Sequence, residues 1–528
     1  MLATALLVFT NESGFSHETT GVGWDVAVAL AAFFALLLIA SRTDVPSWSS
    51  RLAFGCAVAA DGVAAFRIGG GAGALIVVAA IVLIPMRASR FGLPPLVLLA
   101  SLAANYSLLR ALADPQRASP LPGVEAVVAI ALPVLTLPFA VRDEPLRLLR
   151  WGVWLTGTGM LALLTERYFI RVSASIAPDD VFITLAGAVL LLLSTVIRRD
   201  ALSRVVAASG VAAIVLVMLL MLQGSHYVSD TAVSIDAAAR AVLHGENPYV
   251  TVDIVEATRA RGLSDQLFTP FADSNEVERR YPYPAGSFLP STLLFALGLD
   301  DVRYGFLALL AALYLVLIFR VPRTFAPYVS GLALVDIMAQ RQVALAGVEP
   351  SWALFLVLAI ALPRLSGVFG GLSAAARQTA WLYLPFLAVD RARVGAGALA
   401  RWVVAVAIIF AVVNVPFAVG APSQWLSDST APVFAAYVPL GFGVIRFSTD
   451  GPLPFAPRVA YTIALGIAYV LALWTYWRHR PAWRYGLAVL PVAPLYFAWR
   501  SLQNYFMFAP FFLVSLIAED PEVRSQRM

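Results

Sequence analysis

The sequence has no lysine, a single cysteine and few charged residues. Charged residues make up 13% of the 528 residues, and all 37 basic residues are arginine. The lone Cys56 excludes an intramolecular disulfide, a cysteine metal cluster and a Cys-x-x-Cys redox pair. The net charge of +5 does not indicate a nucleic-acid partner, because most arginines stand between apolar segments. Any phosphate that this chain binds must be held largely by arginine, which forms bidentate contacts.

Apolar residues are in excess instead. They make up 60% of the chain, a share far above that of soluble proteins. We therefore predict an all-α, polytopic membrane protein, whose helices need about twenty residues each to cross a bilayer. The predicted spans are 23–41, 51–67, 71–86, 93–113, 122–141, 151–166, 180–197, 205–222, 302–320, 327–339, 350–363, 397–419, 459–477, 485–498 and 505–518.

Two apolar segments of the second half are predicted not to cross. Residues 285–299 are too few for a span and run into Asp300 and Asp301, so we interpret them as re-entrant. Residues 366–390 have Arg377 and Gln378 in their middle, which predicts two half-helices that break at this point.

Arginine is concentrated in every second link between the spans. The basic links of the first half are 41–51, 87–92, 142–150 and 198–204. Because positive charge marks the cytoplasmic side, the N-terminus and the polar loop 223–284 are predicted to be extracytoplasmic and the C-terminus cytoplasmic. The arginines of the loop itself depart from this rule, but long loops translocate largely regardless of charge.

The loop 223–284 carries the residues best suited to chemistry. Asp230 follows the span 205–222 closely, and a helix is predicted from Asp230 to about His244, with Gly245 as its stop. The loop ends in Tyr281-Pro-Tyr-Pro284, whose prolines favour an extended chain. The two tyrosines either line a groove or anchor the chain at the membrane interface.

From about residue 205 onward the chain resembles the integral-membrane glycosyltransferases of the GT-C fold that use polyprenyl-phosphate sugars, and among these the GT87 group. The resemblance rests on the order and spacing of Asp230, Gly245–Tyr249, Tyr281–Pro284, 371–385 and 500–505. It implies a GT-C-like core over 205–528, preceded by a transmembrane bundle of unknown role over 1–204. The chain departs from the family pattern at Gln340-Arg341-Gln342 and at Arg377, where a lysine is frequent.

The resemblance implies transfer of a sugar, with mannose as the first candidate, from a polyprenyl-phosphate donor to a lipid or glycan acceptor. The reaction would take place on the extracytoplasmic face of the cell membrane, by a single inverting displacement, with no cofactor. A departing phosphate needs no proton, so one carboxylate that acts as general base on the acceptor hydroxyl is sufficient. No acidic cluster in the sequence calls for a metal.

Asp230 is the predicted base. The alternative is that its carboxylate only caps the helix that follows, which would lower its basicity. Asp236 is the second candidate, but Arg240 lies four residues further along the predicted helix and favours an ion pair.

Three arginines are predicted to bind the donor phosphate, because an arginine within an apolar segment normally faces a cavity or a partner. They are Arg377, Arg500 and Arg341. The alternatives are an ion pair with Glu349 for Arg377 and an ordinary interfacial position for Arg500. Further substrate contacts are predicted for Tyr283, Asn504 and His226. The alternative for His226 and His244 is that both are ordinary polar residues at the membrane interface.

Two other classes of function compete with this prediction. Asp61 and Asp336, within predicted spans, favour a transporter or lipid flippase, although the sequence has no internal repeat. A non-catalytic subunit of a cell-envelope complex would use the loop 223–284 as a docking surface.

Overall fold

The computed structural model describes residues 199–520, apart from 224–226, 228, 266–267, 275, 322–328, 330–342, 344–345, 442, 450–452 and 507, together with isolated positions between 183 and 197. The predicted bundle over 1–204 therefore lies almost entirely outside the described residues. The same holds for Asp61, Asp336, Arg341 and His226.

The described chain is mostly helical. Its helices are α1 (Asp200–Leu222), α2 (Asp230–Leu243), α3 (Pro248–Thr251), α4 (Ile254–Ala260), α5 (Leu289–Ala296), α6 (Val302–Arg320), α7 (Glu349–Ala361), α8 (Ser366–Ala376), α9 (Leu384–Val394), α10 (Ala396–Ala418), α11 (Pro422–Phe434), α12 (Arg446–Thr449), α13 (Arg458–Arg478) and α14 (Ala509–Ala518). Short 3₁₀ turns cover Ala285–Ser287, Gln378–Leu382, Gly486–Ala488, Ala493–Phe497 and Gln503–Tyr505. Two-residue strands β1 (Leu440–Gly441) and β2 (Arg500–Ser501) pair in parallel.

Four helices of the described residues, α1, α6, α10 and α13, are long and apolar enough to cross a membrane. They coincide with four of the predicted spans and confirm a helical membrane protein. Only 6% of the apolar stretch of α10 and 11% of that of α13 is buried, against 56% for α6. Helices α10 and α13 therefore leave most of their apolar surface open, as lipid-facing helices do.

Three predicted spans of the second half are shorter or less regular than one helix that crosses a bilayer. Helices α7 and α14 have 13 and 10 residues, so they reach only about 20 and 15 Å at 1.5 Å per residue, short of a hydrocarbon core of about 30 Å. Residues 485–498 form two 3₁₀ turns instead of one helix. Pro491 and Pro494 explain this, since proline supplies no backbone N–H to a continuous helix.

Neither of the two segments predicted not to cross forms a long helix. Residues 285–299 form only a 3₁₀ turn and the eight-residue α5. The break at Arg377 is also confirmed, because α8 ends at Ala376 and Arg377 itself is extended, with φ −158° and ψ 143°. The chain then resumes as a 3₁₀ turn and α9.

The long helices separate two ends of the molecule. At one end Asn414 of α10 accepts a hydrogen bond from the Ala285 N–H at 2.9 Å, and Asn247 donates to the Phe417 carbonyl at 2.8 Å. We call this the loop end. At the other, Arg393 donates to the Trp477 carbonyl, and we call this the arginine end. The 23 residues of α10 place them about 34 Å apart, more than a hydrocarbon core.

Candidate active site

A single cavity at the loop end brings together residues from distant parts of the chain. Asp230, Tyr283, Arg377 and Arg500, four of the predicted site residues, all line it. The space between its walls is about 520 Å³ when the open mouth is included. The predicted convergence of the acid and the two arginines is therefore present.

Asp230 is the first residue of α2, and its carboxylate is not the N-cap of this helix. The preceding residue, Ser229, is the cap, because its Oγ accepts a hydrogen bond from the Ala232 N–H at 3.1 Å. The alternative interpretation of Asp230 as the helix cap is thus wrong. Its Oδ2 instead accepts a hydrogen bond from the Thr269 hydroxyl at 3.1 Å, and its Oδ1 a longer one from Thr231 at 3.4 Å.

Burial is the dominant influence on the Asp230 carboxyl. It raises the pKa of Asp230 above its usual value, while the Thr269 and Thr231 hydrogen bonds and the charge of Arg500 act in the opposite direction. A carboxylate with a raised pKa is a stronger base than an exposed one, so it is better suited to accept a proton from a hydroxyl.

Asp236, the second candidate base, has a structural role. It is buried, and it accepts hydrogen bonds from Arg240 at 3.0 Å, from Tyr227 at 3.2 Å and from Arg261. The predicted pair with Arg240 is confirmed, although it belongs to an interior network and not to an open helix surface. Asp236 does not line the cavity.

The predicted ion pair of Arg377 with Glu349 is confirmed. The Arg377 Nη2 lies 3.0 Å from Glu349 Oε1, and its guanidinium stacks over the Tyr283 ring at 4.5 Å. It nevertheless lines the cavity. Asn504 lies behind this pair, since its amide donates to Glu349 at 2.6 Å and it is not one of the residues that line the cavity. The structure therefore places Asn504 as a support of Glu349.

Arg500 differs from Arg377 because it has no carboxylate within ion-pair distance among the described residues. Its guanidinium stacks over the Tyr437 ring at 5.0 Å. It forms no ion pair with any described residue, and its buried Nη1 has no hydrogen-bond partner in the described part of the chain. A buried cationic N–H without a hydrogen-bond acceptor is costly.

The break in the α8–α9 segment fits against the end of the loop 223–284. Gln378 donates to the Pro282 carbonyl at 2.8 Å. A Cβ on Gly286 would come within 2.6 Å of the Ala375 carbonyl oxygen, so only glycine allows this approach. Both contacts fix Arg377 relative to Tyr283. Tyr281 is fully buried and does not anchor the chain at the interface.

Two cavity residues had no signal in the sequence. Thr269 and Tyr437 line the cavity, but each lies in an irregular segment without a recognisable motif. Tyr505, which also lines it, belongs to the segment 500–505 that carries the resemblance. Phe271 and Tyr437 form an isolated β-bridge that carries the 437 segment to the wall. Glu278 also lines the cavity and accepts a hydrogen bond from the Tyr437 hydroxyl.

The chain matches no protein family, no curated protein and no solved structure. The site must therefore be interpreted from its own geometry. Within the described residues no group of three or more His, Cys, Asp or Glu side chains is arranged to hold a metal ion.

The β1–β2 pair determines where Arg500 lies, and Gly441→Ala should disturb it. Gly441 has φ +150°, and a Cβ there would lie 2.5 Å from the Ser501 carbonyl oxygen. We expect a loss of about 1–3 kcal/mol in stability from this strain, measured as a lower thermal midpoint of the purified protein. Gly466→Ala is the matched control, because nothing lies within 4 Å of its Cβ position. Equal midpoints for both variants would contradict the prediction.

Proposed function

We propose that this protein is a membrane glycosyltransferase of the GT-C type that transfers a sugar from a polyprenyl-phosphate donor to a lipid or glycan hydroxyl, with Asp230 as general base. The observation that carries the proposal is the shared cavity, whose wall contains a carboxylate of raised pKa together with an arginine that forms no ion pair with any described residue. Mannose is the first candidate for the sugar, on the basis of the sequence resemblance alone.

The proposed step moves one proton and one sugar. Asp230 takes the proton of the acceptor hydroxyl, while that oxygen forms a bond to the anomeric carbon of the sugar. The bond from this carbon to the phosphate oxygen breaks, and its electron pair stays on the phosphate. The negative charge that Asp230 loses thus appears on the phosphate, which changes from about one negative charge to about two.

This charge movement favours Arg500 as the main phosphate ligand. The charge of Arg377 is already shared with Glu349 at 3.0 Å, whereas Arg500 has no such partner in the described residues. In the proposed reaction Arg500 binds the donor phosphate, and Arg377 and Tyr283 form the adjoining wall.

The proposed reaction takes place outside the cytoplasm. The arginine end and the loop end lie at opposite ends of α10, and positive charge marks the cytoplasmic side. The cavity at the loop end then opens to the extracytoplasmic face, where a donor and an acceptor anchored in the outer leaflet both reach it.

The test uses membranes that contain the wild-type chain, supplied with radiolabelled polyprenyl-phosphate sugars. We expect label in a new glycolipid or glycan that is absent from membranes without the chain. Movement of unchanged donor lipid across the bilayer, without sugar transfer, would favour the transporter. Absence of both activities, with a stable co-purifying protein, would favour the assembly subunit.

Thr269→Val should change the pH dependence of transfer more than its maximum. The Thr269 hydroxyl donates to Asp230 and lowers its pKa against the effect of burial. Its loss therefore raises the pKa further, so the acidic limb of the pH–rate profile moves to higher pH while the plateau above it is largely kept. The readout is kcat/KM against pH. Thr251→Val, on the exposed face of α3, should leave the profile unchanged, and a uniform loss at all pH values would contradict the role of Thr269.

A further inference from the structure

The arginine end carries a cluster of cations that is independent of the cavity. Arg391 and Arg393 lie in the last turn of α9, and Arg478 is the last residue of α13. Arg393 joins the two helices, because its Nη2 donates to the Trp477 carbonyl at 2.5 Å. The three arginines therefore lie at adjoining helix ends. We call them the basic cluster.

The charge of the basic cluster is not balanced by nearby acids. Asp390, the neighbouring acid, accepts hydrogen bonds from Arg480 at 2.7 Å and from Tyr476 at 3.0 Å. None of the three arginines forms an ion pair within the described ranges, and the buried Nε of Arg391 has no hydrogen-bond partner there. Favourable interactions with the helix C-termini account for the presence of cations at these positions, but not for an unsatisfied buried N–H.

Exposed apolar residues border the basic cluster. Trp474 and Trp477 are 52% and 59% exposed, and Val394 is 73% exposed. Tryptophan is enriched at the level of the lipid headgroups, and α13 leaves most of its apolar surface open. A ligand that carries both a phosphate and acyl chains fits the juxtaposition of these cations with an apolar surface.

We propose that the basic cluster binds the phosphate of an anionic phospholipid, whose acyl chains lie along the Trp474–Trp477 side of α13. The guanidinium groups of Arg391, Arg393 and Arg478 supply paired donors to the phosphate oxygens. The bound lipid joins the ends of α9 and α13 at the cytoplasmic headgroup level. This proposal does not depend on sugar transfer.

The experiment titrates the purified full chain in detergent with phosphatidylglycerol or phosphatidylcholine and counts bound lipids by native mass spectrometry. We expect the wild type to bind the anionic lipid more tightly. The triple variant R391Q/R393Q/R478Q should bind phosphatidylglycerol about a hundredfold more weakly than wild type. Each juxtamembrane arginine is expected to contribute a factor of roughly five to the affinity. Inorganic phosphate is tested as a competitor, and it should not displace the lipid at equal concentration because it lacks acyl chains.

The matched control removes three exposed arginines at the loop end, in the variant R259Q/R279Q/R280Q. It has the same change in net charge and should retain the preference for phosphatidylglycerol. An equal loss in both triple variants, or no preference in the wild type, would overturn the proposal. If the cluster variant is poorly folded, the single variant R478Q replaces it, since Arg478 is exposed. An unchanged affinity in that variant would also count against the site.

Discussion

We expect the replacement of Asp230 by asparagine to reduce sugar transfer severely while the protein remains folded. Asparagine has almost the same shape and keeps the hydrogen bonds to Thr269 and Thr231 in one orientation, but it cannot accept the proton of the acceptor hydroxyl. General-base assistance contributes roughly 10²–10⁴ in rate, so kcat should fall by about that factor. The assay measures initial rates of label transfer by purified D230N at several pH values, with wild type in parallel.

Stability separates this loss from misfolding. Because burial raises the pKa of Asp230, its carboxyl stabilises the folded state fully only below its unfolded pKa, and this contribution is lost as the pH rises through the folded pKa. Asparagine has no such dependence. At neutral pH the thermal midpoint of D230N should therefore equal or exceed that of wild type. A lower midpoint that accounts for the lost activity would contradict the assignment.

Asp265→Asn is the matched control for Asp230→Asn. Asp265 is 59% exposed, pairs with Arg259 at 2.9 Å on the surface and does not line the cavity. Its replacement should leave transfer unchanged, because an ion pair between two solvent-exposed side chains contributes little to the fold. Asp236 is a poor control despite its position on the same helix, since its removal leaves Arg240 and Arg261 without their buried carboxylate.

The elements that sequence analysis predicted well are those determined locally. A continuous apolar stretch bounded by Asp301 and Arg320 determines α6, and the polar pair at 377–378 determines the break between α8 and α9. The helix from Asp230 ends where Gly245 has φ +76°. In each case the signal lies within the segment that it shapes.

The parts of the site that escaped prediction depend on contacts between distant segments. Thr269 donates a hydrogen bond to Asp230 only because two segments that are 39 residues apart in the sequence pack against each other. Whether an arginine is free depends on its neighbours in space: Glu349 compensates Arg377, whereas no described acid pairs with Arg500. The incorrect prediction of one helix over 485–498 has a local cause. The apolar composition of this segment favours a span, but its two prolines interrupt a continuous helix.

Replacement of Arg500 by glutamine should reduce kcat more than it raises KM. The phosphate gains negative charge as its bond to the sugar breaks, so an arginine beside it stabilises the transition state more than the bound donor. Loss of one such donor costs on the order of 10²–10³ in kcat. Arg500→Lys keeps the charge but loses the planar fork, so it should retain an intermediate activity. Steady-state kinetics with the labelled donor measure both constants.

Arg259→Gln, at an exposed surface pair, is the control for loss of a positive charge, and its kinetics should match wild type. Arg377→Gln gives a different result, because it leaves the buried Glu349 without its cation. An unpaired buried charge costs about 3–5 kcal/mol in the free energy of unfolding, so the thermal midpoint of this variant should be lower than that of wild type. Arg500→Gln removes an unsatisfied cation and should be no less stable than wild type. If Arg500→Gln instead keeps full kcat while Arg377→Gln folds normally and loses it, the two arginines have exchanged roles and the phosphate binds at Arg377.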